Sequence, residues 1–262
     1  MSPGAPGTVA LSATELGAGP AVVILHGLLG SSRNWHSIGK ALAADRKVIL
    51  ADLRNHGASP WADAMDYPAM AADVARLVRE RAGGRAAIVG HSMGGKVAMV
   101  LALTEPGIVD RLGVVDIAPV AYRNSTFLGY IEAMRAIDPA GLARRGDAEA
   151  ALTAVAPDPG VRSFLLQNLA FGADGAAWKP NLAVLARTLP EIVGFPKLEA
   201  RYDGPTLVIR GARSDYVADG FLPALRRLFP QAAIETVAEA GHWVHAERQA
   251  EVTGLLRRFL AA

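Results

Sequence analysis

Short runs of aliphatic and β-branched residues alternate along this chain with longer segments in which apolar positions recur every three or four residues. The runs are AVVIL (21–25), KVILA (47–51), AAIVG (86–90), LGVVD (112–116), TLVIR (206–210) and AAIETV (232–237). Most are apolar on both faces, as a strand must be inside a parallel sheet covered on both sides. The intervening segments predict helices over 35–44, 68–81, 95–104, 219–229 and 247–260. Strands alternating with crossover helices read as an α/β fold.

One interval breaks this rhythm. Between 118 and 202 the pattern shows only helical stretches, at 126–137, 147–155, 161–169 and 182–189, punctuated by Asp138-Pro139, Pro157-Asp158-Pro159-Gly160 and Lys179-Pro180. An all-helical insertion here is expected to cap one end of the sheet. The expected organisation is therefore a core built from 1–117 and 203–262, interrupted by a helical cap over 118–202.

The 262 residues are long enough for one large domain. Hydrophobic residues make up 51% and charged residues 20%, a balance that folds. The formal net charge is only +2 and no basic run of five or more occurs, so neither nucleic acid nor an anionic membrane surface is an expected partner. The chain shows neither a basic leader followed by an apolar stretch nor an apolar run approaching 18 residues, and a cytoplasmic location is the expectation. With no cysteine, disulfides, thiolate metal sites and a thiolate nucleophile are excluded.

The chemistry must then rest on oxygen and nitrogen groups. Gly90-His91-Ser92-Met93-Gly94 follows a predicted strand and opens a predicted helix. That is the context of a nucleophile elbow, a tight strand-to-helix turn that lifts a serine hydroxyl clear of the sheet. Side chains at 90 and 94 are expected to collide with the neighbouring strand and helix. Ser92 is the candidate nucleophile.

A serine hydroxyl needs a positioned base, and six histidines are available, at 26, 36, 56, 91, 242 and 245. His242 lies in a loop after the last strand, where the Ser…Asp…His chain order of this architecture places the base. His245 follows at an H-x-x-H spacing, but no third ligand has recognisable spacing nearby, so a metal site is not expected and His245 reads as a hydrogen-bonding residue at a helix start. The glycine-rich turn Leu25-His26-Gly27-Leu28-Leu29-Gly30 can present a backbone N–H, and Leu28 with Met93 forms the candidate oxyanion hole. His26 and His56 read as buried residues that shape loops, and Asp52 and Arg54 as a pair holding one of those loops.

Two acids are candidates for the partner of His242: Asp116, closing the fourth run, and Asp215, following the fifth. Apolar and aromatic residues, Leu29, Tyr122 and Trp243 among them, are expected to line an acyl pocket.

The chain resembles the α/β-hydrolase superfamily, and within it the small serine esterases similar to the α/β-hydrolase domain-containing 11 group and their bacterial relatives. The resemblance is carried by LHGLLGSSRNW (25–35), DLRNHGAS (52–59), GHSMGGKVAM (90–99), VVDIAPVAY (114–122), FLLQNL (164–169), LPEIVGF (189–195) and AGHWVHAE (240–247). It implies a mostly parallel eight-stranded sheet flanked by helices, with a helical cap inserted after the sixth strand. It also implies a Ser–His–Asp triad acting on small carboxylic esters or thioesters without cofactor or metal. In this group the loop after the seventh strand often lacks an acid, whereas the aspartate of DIAP is a regular feature, which implies Asp116 as the triad acid. This chain carries Asp215 as well, at the position most α/β-hydrolases use, and both stay candidates. Carbon–carbon bond hydrolysis, perhydrolysis and acyl transfer use the same residues, and a non-catalytic ligand-binding protein is the reading from a different class.

Overall fold

The structure, a computed structural model, describes residues 7–123, 126–173 and 175–261. Residues 1–6 and 262, at the ends of the expected core, and 124, 125 and 174, within the expected cap, lie outside the described residues.

The elements run β1 (Ala13–Leu16), β2 (Ala21–Leu25), α1 (His36–Leu42), β3 (Lys47–Ala51), α2 (Tyr67–Arg81), β4 (Ala86–His91), α3 (Met93–Thr104) and β5 (Val109–Val115). Then come α4 (Phe127–Ala136), α5 (Arg145–Leu152), α6 (Pro159–Leu166), β6 (Leu169–Gly172), β7 (Gly175–Trp178) and α7 (Leu182–Val193). The chain returns through β8 (Thr206–Gly211), α8 (Leu222–Leu228), β9 (Ala232–Val237), α9 (Val244–Glu247) and α10 (Gln249–Ala261).

Seven strands form one sheet in the order β1-β3-β2-β4-β5-β8-β9, parallel except for β1, which runs antiparallel to β3 at the edge. The period of two explains why the central strands read as unbroken apolar runs. Val23, Leu25 and Ile49 face the side covered by α2 and α3, while Val22, Ile24, Val48 and Leu50 face the side covered by α1 and α10. Both faces are buried, so neither can be polar.

The implied eight strands are seven among the described residues. Upstream of β1 the backbone bonds mainly to side chains instead of extending the ladder: the Val9 N–H donates to Asp73 Oδ1 and the Ser12 N–H to Ser59 Oγ. The insertion consequently follows the fifth strand of the sheet, not the sixth. β1 escaped the periodicity because ATEL is a half-buried edge strand with two polar positions in four.

The insertion is not all-helical either. β6 and β7 pair antiparallel, Leu169 opposite Trp178 and Phe171 opposite Ala176. Four-residue strands such as LAFG and GAAW are too short to show alternation.

The expected Asp52–Arg54 pair does not form. Arg54 is fully buried and forks onto Asp73 of α2, with Nε to Oδ2 at 2.6 Å and a second nitrogen to Oδ1 at 2.7 Å. Asp52 accepts the Ser32 and Ala58 N–H groups instead. Arg54 is drawn away toward α2, where Asp73 and the Ala64 and Ala69 carbonyls take its N–H groups, while the Asp52 carboxylate is used up by the backbone of the turns after β2 and β3.

Candidate active site

Ser92 sits between β4 and α3 with φ 52° and ψ −120°, a left-handed backbone for a residue with a side chain. The turn is tight enough that a Cβ on Gly94 would lie 2.5 Å from the His26 carbonyl oxygen, and one on Gly90 would overlap the Gly94 carbonyl. Both glycines are therefore required sterically, as expected. Ser92 is held by its N–H donating to the Val115 carbonyl of the adjacent strand.

His242 lies in the loop between β9 and α9. Its Nε2 is 3.0 Å from Ser92 Oγ and its Nδ1 is 2.8 Å from Asp116 Oδ2. A carboxylate on Nδ1 holds the proton there, leaving Nε2 as the acceptor for the serine hydroxyl. Asp116 is fully buried, at the end of β5, with φ 54°. Its carboxylate also accepts the Gly211 N–H at 2.9 Å and the Ser214 hydroxyl.

Asp215 is exposed and makes no hydrogen bond with His242. The sequence left two acids open; the geometry brings Asp116 to the histidine and leaves Asp215 in solvent. The loop after β8 contributes differently, through Ser214 on Asp116 and through Tyr216, whose ring stacks on His242 with centroids 3.9 Å apart.

The other buried histidines lie outside the Ser92–His242–Asp116 hydrogen-bond path. Burial pushes His56 and His245 down to about 3, and His26 and His91 below the usual histidine range. All four are neutral at physiological pH. His26 accepts the Leu53 N–H and donates to the Gly27 carbonyl, and His56 accepts the Leu29 N–H and donates to the Arg54 carbonyl. These bonds tie the glycine-rich turn after β2 to the loop after β3. His91 Nε2 donates to the His242 carbonyl at 2.9 Å. His245 differs from the hydrogen-bonding role expected: its Nδ1 has no partner among the described residues, and its ring stacks on Trp35 at 4.6 Å. No grouping of three or more His, Asp or Glu among the described residues could hold a metal ion.

Leu28 lines both small cavities that flank Ser92, and Met93 lines one of them. The Met93 N–H opens α3 and so has no intrahelical acceptor. Tyr122 lines the cavity on the Met93 side, and Trp243 the one on the opposite side with Phe127 and Phe164 of the insertion. Leu29 lines neither. It packs in the core with φ 58°, its N–H on His56 and its carbonyl accepting from Asn168 Nδ2 at 2.8 Å. The positive φ turns the Leu29 side chain away from the site, which removes it from the expected pocket lining.

Sequence reasoning passed over Lys96, one turn after Ser92 on α3 and only 1% exposed. Its Nζ donates to the Val193 carbonyl at 2.9 Å and to the Gly194 carbonyl. A single charged residue inside the apolar run GGKVAMVLAL was the available signal. Asn168, tying the insertion to the turn after β2, carried no such signal.

Among the described residues no helix is long and apolar enough to cross a membrane. Residues 22–255 match the family described as the alpha/beta hydrolase family. The chain is 42% identical over 250 residues to the sn-1-specific diacylglycerol lipase ABHD11 of Mus musculus, covering 92% of this chain and 81% of the relative. It is 37% identical over 239 residues to esterase YbfF of Escherichia coli (strain K12), covering 91% of this chain and 92% of the relative. Among solved structures, a marine microorganism esterase superposes with a TM-score of 0.93 at 35% identity, over 97% of this chain and all of the other.

Proposed function

The chain belongs to the alpha/beta hydrolase family and is a hydrolase of ester bonds, and on that premise we propose that it works through Ser92, His242 and Asp116, forming an acyl-enzyme on Ser92. His242 takes the Ser92 proton through Nε2 as Oγ attacks the acyl carbonyl. Asp116 holds the imidazole in the required tautomer and stabilises the imidazolium as it forms. The N–H groups of Leu28 and Met93 receive the developing oxyanion. His242 then protonates the leaving alcohol or thiol and activates water to release the acid.

The observation that carries this reading is the unbroken hydrogen-bond path from Ser92 Oγ through both nitrogens of His242 to a buried Asp116 carboxylate. The strained Ser92 backbone supports it further, because strain is retained where a function depends on it. We read the segment 118–202 as the cap that closes over this site and, with Tyr122 and Trp243, shapes a pocket for small acyl esters or thioesters.

The test is steady-state hydrolysis of p-nitrophenyl butyrate by the wild type and by Ser92→Ala. Removing the nucleophile of a triad costs about 10⁶-fold in kcat in a well-studied serine protease, and a loss of at least about 10⁴-fold is expected here. A folded Ser92→Ala protein within tenfold of the wild type would refute the reading.

A further inference from the structure

Lys96 is a buried cation without a counter-anion beside the candidate nucleophile. Among the described residues its Nζ is met only by the carbonyls of Val193 and Gly194 and by two rings, Tyr122 at 4.7 Å and Tyr67 at 5.7 Å from the centroids. An ammonium has three N–H donors, and the two carbonyls use two of them. Burial of such a charge is costly unless an anion or a full set of acceptors compensates it, and the desolvation here pulls Lys96 down to about 7.

The cavity on the Met93 side, of about 30 Å³, is lined by both Ser92 and Lys96. The two residues are one helical turn apart, with the Lys96 N–H donating to the Ser92 carbonyl at 3.1 Å, so both side chains lie on the same face of α3. Between them the walls are apolar, formed by Leu28, Ile117 and Ile192. The Tyr67 hydroxyl donates to the Ile192 carbonyl at 2.5 Å and the Tyr122 hydroxyl to the Tyr216 carbonyl at 2.6 Å. Lys96 is the one cation facing this cavity among the described residues.

We propose that this cavity is a carboxylate subsite: it takes the half-ester or half-thioester of a short dicarboxylic acid, with the ester carbonyl at Ser92, the methylene chain along the apolar walls and the free carboxylate on Lys96. The proposal rests on the reading of Ser92 as nucleophile.

A pH-stat assay compares monoethyl glutarate with ethyl valerate, and monoethyl succinate with ethyl butyrate, pairs matched in chain length and differing in the terminal carboxylate. The wild type should favour the acidic member in kcat/KM by about tenfold, the size expected of one charge-assisted hydrogen bond. Lys96→Met should lower the ratio of acidic to neutral kcat/KM by about 30-fold or more. A wild-type ratio below one, or a ratio that Lys96→Met leaves unchanged because both esters decline together, makes Lys96 a structural clamp on α7 and overturns the subsite. Should Lys96→Met not fold, competitive inhibition of the wild type decides: glutarate should inhibit at concentrations at least tenfold below valerate, and equal inhibition overturns the proposal. If the wild type hydrolyses neither these esters nor p-nitrophenyl butyrate, the Ser92 reading has failed. Calorimetric titration of the wild type with glutarate then still decides the subsite, binding supporting it and absence of binding overturning it.

Discussion

The ring of Tyr216 lies against the imidazole of His242, centroids 3.9 Å apart and planes inclined by 22°. Tyr216 belongs to the loop after β8, two residues past the Ser214 whose hydroxyl reaches Asp116. One short loop thus touches both His242 and Asp116, while its own Asp215 stays exposed. Its backbone is anchored in turn by the Tyr122 hydroxyl on the Tyr216 carbonyl.

Removing that stacking surface should loosen the imidazole. Tyr216→Ala is expected to lower kcat on p-nitrophenyl butyrate by about 10- to 100-fold, the scale of a small misplacement of a catalytic group. Tyr216→Phe, which keeps the ring, should stay within a few-fold of the wild type. Equal losses in the two variants would show that the hydroxyl, not the ring, matters.

The acid has its own test. Asp116→Asn should lower kcat by about 10⁴-fold, since the amide holds the imidazole in the wrong tautomer. Asp215→Asn, altering an exposed side chain, should leave kcat within about threefold. The reverse pattern would move the acid to the loop after β8.

That choice marks the limit of what the chain reveals by itself. The central strands were legible because both faces of a parallel sheet are apolar, and Ser92 because its glycines and flanking elements are sterically dictated. His242 followed from chain order. Asp116 and Asp215 both follow strands that end near the base, and only the register of β5 beside β8 separates them. β1 and the β6–β7 hairpin were illegible because a polar edge strand and four-residue strands carry too few periods. Lys96 and Tyr216 were missed because their importance lies in contacts made across the fold, with α7 and with His242.

Acid should destabilise the fold before most carboxylates titrate. His26, His56, His91 and His245 are buried and neutral, with folded values below the ordinary 6.5. A lowered folded value means that the unfolded chain binds more protons below pH 6.5. Stability is therefore full above that pH and falls as the pH drops from about 6.5 toward about 3. Each such histidine contributes a slope of up to about 1.4 kcal/mol per pH unit inside the window. Urea unfolding at pH 7.5, 6.0 and 5.0 should show a falling midpoint, and a flat profile would contradict the neutral assignment.

The most direct measurement is the intact mass of the wild-type protein after exposure to a fluorophosphonate, followed by peptide mapping. An activated serine paired to His242 should take up one phosphonyl group per chain, on the peptide containing Ser92, and Ser92→Ala should take up none. A folded wild-type protein that stays unlabelled, or that carries the adduct on another residue, would contradict the assignment of Ser92 as the nucleophile.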